Sequence, residues 1–147
     1  MSVPVFVMAI GLTGLLAAVP AAQATNPEEE AVRAAVNHYL QGHALGSPDE
    51  FSKAFHPDAM LFWVTPEGTL GKRTSGEYIK GASGKPAADE SQRKRRVLSV
   101  DIAGTAAVAK VELEYPSVHF IDYLSLLKVN GEWKVINKIF HRGAPRS

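Results

Sequence analysis

The spacing of apolar residues changes along this chain from a helical to a strand period. Val32, Ala35, Val36, Tyr39 and Leu40 form a 3.6-residue stripe, which predicts an amphipathic helix reaching about Leu45. Asn26-Pro27-Glu28-Glu29-Glu30 opens it: Asn26 can cap, Pro27 suits the first helical position, and the glutamates meet the positive end of the macrodipole. Gly46 closes it, and Ser47-Pro48-Asp49-Glu50 starts a short second helix with Phe51, Ala54 and Phe55 on one face. Residues 60–64, Met-Leu-Phe-Trp-Val, read as a strand, and Pro66-Glu67-Gly68 as a turn. Residues 74–80 read as a third helix with Tyr78 and Ile79 inward. From 81 to 92 the chain is small, polar and glycine-containing, the composition of an exposed, mobile loop.

The rest has strand character, over 95–102, 106–115, 119–129 and 133–141. Asn130-Gly131 supplies the positive φ values of a tight hairpin between the last two strands. A period of two sorts the side chains. Ala107, Ala109, Val111, Leu113 and Tyr115 form a core face opposite Lys110, Glu112 and Glu114. Leu98, Val100 and Ile102 share a side with Arg96, and Ser99 and Asp101 point out. In the last strand Trp133, Val135, Asn137, Ile139 and His141 share a face, which makes Trp133 a core anchor; Lys134, Ile136, Lys138, Phe140 and Arg142 form a mixed, exposed or subunit-facing one. The strand at 119–129 is ambiguous. If its more apolar face, Phe120, Asp122, Leu124 and Leu126, is the inner one, a carboxylate is carried inside.

Helices first and an antiparallel sheet last is an α+β order, not the alternating order of a dinucleotide fold. Phe55-His56-Pro57-Asp58-Ala59 at the helix-to-strand junction, Asp-Tyr-Leu-x-Leu-x-Lys at 122–128 and Gly-x-Trp-Lys-Val-Ile-Asn-Lys at 131–138 resemble the superfamily of nuclear transport factor and ketosteroid isomerase, most closely its lumazine-binding-like branch. The resemblance spans nearly all of 28–142. It implies a cone: a curved antiparallel sheet wrapped around the N-terminal helices, with one apolar pocket between them. It is poorly specific for function, because the same cone houses isomerases, dehydratases, cyclases, binding modules and transport factors.

Charge and composition narrow the classes. Formal net charge is +1 over 147 residues, which gives no global case for nucleic acid or an anionic membrane. With no cysteine there is no disulfide, thiolate nucleophile or cysteine-held metal. Residues 3–24 carry no charge; an apolar run over 5–19, Pro20 and Ala22-Gln23-Ala24 read as a signal peptide cleaved before Thr25. Pro20 and the small-residue end favour cleavage over an uncleaved anchor, which needs roughly 17–25 apolar residues. The expectation is a secreted or periplasmic domain over 25–147, free of stable membrane association after cleavage, and a homodimer through its sheet.

Candidate chemistry centres on Asp122. A carboxylate in an apolar cup is either paired or protonated, and one with a raised pKa serves as general acid or base. In the ketosteroid isomerases an aspartate base and a protonated aspartate in an oxyanion hole work in such a cup; neither is matched to a defined position here. The alternative is that Arg96, a histidine or backbone amides satisfy Asp122. Tyr123 and Asn137 are the companion donors for catalysis. Tyr39, Phe62, Trp63, Tyr78 and Tyr115 are either core aromatics or a cage around a planar heterocycle. Arg96, His119, Asn137 and His141 complete the candidate ligand contacts, while His56 reads as structural. No histidine pair shows zinc spacing, and neither metal nor cofactor is expected. The sequence thus points to an exported protein binding a planar or hydrophobic small molecule. Its rival is a cofactor-free isomerase or lyase of the ketosteroid-isomerase or polyketide-cyclase type with Asp122 as base.

Overall fold

The structure is a computed structural model and describes residues 26–146; the expected signal peptide and its cleavage before Thr25 lie outside the described residues. The first helix, α1 (Pro27–Leu45), starts as its sequence dictates: the Asn26 side chain accepts from the Glu28 amide at 3.0 Å, and Pro27 takes the first turn. Val32, Ala35, Val36 and Tyr39 are buried along it. A second helix, α2 (Pro48–Ala54), caps on Ser47 and buries Phe51 and Ala54. Strand β1 (Phe55–Val64) follows without a loop, then β2 (Leu70–Thr74) and a short α3 (Ser75–Lys80) whose capping box joins Thr74 and Glu77. The sheet is completed by β3 (Lys94–Ala103), β4 (Ala106–Tyr115), β5 (Val118–Val129) and β6 (Glu132–Gly143).

The six strands lie in the order β2-β1-β6-β5-β4-β3. Neighbours run antiparallel except β1 and β6, which are parallel. The fold is therefore an α+β open cone whose curved sheet has one parallel pairing inside it. The β5–β6 hairpin turns on Asn130 (φ 51°) and Gly131 (φ 83°), a two-residue loop with both residues left-handed. The core fills the space between α1 and the concave face: Val32, Val36, Ala109, Val111, Leu124 and Val135 are inaccessible to solvent. Trp133 is buried as expected, and its indole N–H donates to Glu28 at 3.0 Å, tying the start of α1 to the hairpin.

Two irregularities re-sort the faces read from the sequence. Val97 pairs with Val111 but Ser99 with Lys110, so Leu98 is an extra residue in β3. The bulge exposes Leu98 and turns Arg95 and Val97, not Arg96, toward the core side with Val100 and Ile102. In β6, Val135 pairs with Leu126 but Asn137 with Ser125, which makes Ile136 the extra residue. Beyond it Lys138 and Phe140 share the concave side with Leu124 and Asp122, and Asn137, Ile139 and His141 share the convex side with Ser125, Tyr123 and Ile121. β2 was not anticipated, and the loop over 81–92 ends in a 3-10 turn (Glu90–Gln92) anchored to Arg93 and Arg95.

Candidate functional site

At the floor of the cone three polar side chains meet inside the apolar core. Asp122 comes from β5, Tyr39 from the middle of α1 and Lys138 from β6 just beyond the bulge. The Tyr39 hydroxyl donates to Asp122 Oδ2 at 2.5 Å, and Lys138 Nζ donates to the Tyr39 oxygen at 2.5 Å and lies 3.2 Å from Asp122 Oδ2. Asp122 and Tyr39 are 0% exposed and Lys138 is 4% exposed. The Lys138 ammonium also sits over the rings of Tyr39 (4.9 Å), Tyr78 (5.5 Å) and Phe140 (4.8 Å), an aromatic surround that attracts a cation.

Burial sets the proton affinities here. Desolvation pulls Lys138 below the ordinary lysine value, and the charge of Asp122 partly restores it. Desolvation and then Asp122 drive the Tyr39 phenol well up, so it remains a donor. His43, in the last turn of α1, accepts from or donates to Tyr78 at 2.9 Å through Nε2 and packs edge-on to Tyr39 and Phe51. Desolvation, reinforced by the charges of Lys138, Arg95 and Arg93, drives its pKa well down, and it is neutral at physiological pH.

Lys138 is the member of the cluster that reaches open space. A cavity of about 960 Å³ is lined by Lys138, Tyr78, His43, Leu61, Leu113 and Phe120, and toward its mouth by Trp63, Phe140, Arg73 and Arg142. Tyr123, Ile139 and His141 also border it, so the open volume wraps from the cup over the sheet's end onto the convex face. Neither Asp122 nor Tyr39 lines it; both stand behind Lys138. An ammonium has three N–H donors. Tyr39 and Asp122 take two, and among the described residues no further hydrogen bond is made by Lys138.

The candidate residues divide accordingly. Asp122 lies on the concave face, but its partner is Lys138, not Arg96. Arg96 is on the convex face, paired with Glu112 and Glu114. Tyr123 (41% exposed) and Asn137 lie on the opposite side of the sheet from Asp122 and make no contact with it. Trp63 and Tyr78 line the cavity, and Tyr39 touches it only through Lys138. Tyr115 is held under Arg93 and Arg95 and accepts from Arg95 Nε at 3.1 Å. His119 pairs with Glu112 at 2.9 Å on the convex face, and His141 borders the cavity from that face. Glu112, Glu114 and His119 hold their ligand atoms within 4.8 Å of one another. Arg96 and Arg146 already occupy those carboxylates, so the cluster is a convex-face ion network. Lys138 was missed because an unbroken strand period puts it outside. The adjacent apolar pairs Val135-Ile136 and Ile139-Phe140 carry the cue to the bulge.

A cone of helices under a curved sheet, with a cavity on the concave side, defines the nuclear-transport-factor-like class. The chain belongs to the family described as "Putative lumazine-binding", whose model matches residues 27–141. It is similar to an NTF2-like protein of unknown function from Shewanella baltica, 26% identical with a TM-score of 0.72 over 82% of this chain and 98% of that one. A second such protein, from Methylobacillus flagellatus, is 30% identical with a TM-score of 0.69, over 83% and 97%. A ketosteroid isomerase-like protein from Erwinia carotovora atroseptica shares the fold at 13% identity, TM-score 0.64, over 82% and 100%. Aldolase FrzH of Cladobotryum sp is 26% identical over 125 residues, 80% of this chain and 93% of that protein.

Proposed function

We propose that the cup binds a small, largely apolar molecule bearing a carbonyl group, and that Lys138 polarises that carbonyl. The carrying observation is the unspent N–H of a buried ammonium at the wall of an apolar cavity. Donors fixed in a dry site stabilise a developing oxyanion far better than water does. Isomerases, lyases and aldol enzymes share one demand, an enolate whose oxygen gains charge as a proton or a carbon fragment leaves the α-carbon. Lys138 fits that oxygen, with Tyr39 and Asp122 as positioning residues that hold the ammonium. Asp122, shielded by Lys138, fits the counter-charge and not the base facing the ligand; the α-proton passes instead to an imidazole that lines the cavity, His43 or His141. The name of the Cladobotryum relative agrees with aldol-type chemistry.

The family's description favours a second reading, binding without chemistry. Deuterium exchange separates the two. Incubated in D2O with a panel of aryl methyl ketones, the protein should label the α-carbon, and Lys138→Met should cut the rate at least about 100-fold. No labelling above buffer for any ketone, with binding retained, leaves the binding-only reading. Native mass spectrometry of the protein from its own host would identify the molecule it carries. The reading also places the domain outside the cytoplasm, supported by the composition of residues 1–24, and in a homodimer through the convex face, where Tyr123 and Ile139 are exposed. N-terminal sequencing for Thr25 and light scattering test these two points.

A further inference from the structure

Eighteen residues line the cavity, among them Arg73, Lys138 and Arg142, and none is an aspartate or glutamate. The charge of Lys138 is balanced from behind by Asp122. Arg142 has no such balance: among the described residues its side chain makes no ion pair or hydrogen bond. The Arg73 side chain makes none either; it lies 5.8 Å from the centroid of Trp63 and feels Glu77, which is not part of the cavity lining, only at longer range. Register puts both on the concave side at the mouth, since Arg73 pairs with Leu61 and Arg142 with Phe120. Between them lies an aromatic wall. Trp63 stacks on Phe140 at 5.7 Å and 27°, and Phe140 meets Phe120 edge-on at 6.1 Å. Gly71 allows this, because a Cβ there would come within 2.3 Å of the Trp63 indole.

We infer that the ligand is an organic anion whose acid group is held at the mouth by Arg73 or Arg142, with its apolar body along Trp63, Phe140 and Phe120. This rests on the reading of the cup as the binding site and deepens it by naming the substrate class. A guanidinium presents the planar fork that takes a carboxylate or phosphate oxygen pair. Cations at the rim of a cleft whose lining holds no acid also raise the local concentration of anions. An acid group anchored there fixes the register of the body, so that a carbonyl further along it arrives at Lys138. Remote binding energy of this kind is available to the chemical step.

The test is a set of isosteric probes measured by calorimetry at low and high salt: 2-naphthoate, 2-naphthyl phosphate and the uncharged 2-naphthamide. The acids should bind about tenfold tighter than the amide in low salt, an advantage that shrinks as salt screens the exposed guanidiniums. In the Arg73→Gln/Arg142→Gln variant, with its near-ultraviolet dichroism unchanged, the advantage should fall to within about twofold, as the charge-assisted contact is gone whichever arginine makes it. Whichever acid keeps the larger advantage identifies the group, carboxylate or phosphate. The Asp122→Asn/Lys138→Met double variant, which strands no buried charge, should preserve the preference while abolishing ketone labelling, with its near-ultraviolet dichroism unchanged, so this inference and the carbonyl reading fail separately. Equal binding of acid and amide overturns the inference. So does a preference that survives the arginine changes, a preference lost on removal of Lys138, or no binding of either acid at millimolar concentration.

Discussion

At the scale of single residues, the Lys138–Asp122–Tyr39 cluster makes the chain's largest electrostatic commitment. Two ions this deep repay their desolvation only through each other and the phenol between them. Asp122 Oδ1 has no hydrogen-bond partner in the fold, which leaves little margin. Breaking the pair from either side strands a buried charge. Asp122→Asn and Lys138→Met should each cost about 3–5 kcal/mol of stability, and the double variant less than either single one. Urea unfolding of the four proteins measures the coupling; losses that simply add would mean the two side chains do not act as a pair. Asp122 was legible in the sequence because Phe120, Leu124 and Leu126 share its parity. Its partner was not, because parity is exact only until a strand gains a residue, and one extra residue at Ile136 moves Lys138 from outside to inside.

At the scale of elements, the parts carrying local chemistry were the ones that could be read. Caps, Pro at the first turn, Asn130-Gly131 and the uniform alternation of β4 each follow from a few adjacent residues, and the structure places all of them as expected. β2 carried no such pattern: Leu-Gly-Lys-Arg-Thr is exposed at every position but Gly71, and its strand state comes from pairing with β1. The parallel β1–β6 contact is likewise a tertiary fact joining residues about eighty apart. The α1–α2 packing gives a prediction of its own. Gly42 is buried where α1 crosses Phe51, and a Cβ there would lie 2.4 Å from the ring. Tyr39, His43 and Tyr78 surround that ring and leave it nowhere to turn. Alanine favours a helix interior over glycine by about 1 kcal/mol, but overpacking a filled site costs about 1–3 kcal/mol. Gly42→Ala should therefore lower stability on balance, read as a lower urea midpoint at unchanged slope. A raised midpoint would show that α1 and α2 can part without cost.

At the scale of the whole molecule, ionised side chains hold parts of the fold that the core does not. Glu28 joins α1 to the hairpin through Lys128 and Trp133, and Glu90 clamps the 81–92 loop to Arg95. Glu112 collects His119, Arg96 and Arg146 on the convex face. Each of these carboxyls is held below its ordinary value, by hydrogen bonds to Lys128 and Trp133, to Arg95, and to His119 and Arg96. Their stabilisation is complete above about pH 4.5 and is lost as pH falls toward the folded values. His43 acts in the same direction from a higher starting point. In the unfolded chain its imidazole gains a proton near 6.5; in the cup desolvation, with Lys138 and Arg95 nearby, keeps it neutral. Below pH 6.5 the unfolded state therefore binds the extra proton, and stability should fall by up to about 1.4 kcal/mol per pH unit before the carboxyls titrate. His43→Gln, which keeps a hydrogen-bonding group for Tyr78 and loses the titration, should remove that upper part of the slope and leave the lower part. Urea unfolding between pH 7 and 4 compares the two proteins. An identical slope in both between pH 6.5 and 5 would mean that the imidazole takes up its proton inside the cup, and that the floor of the cone is open to water.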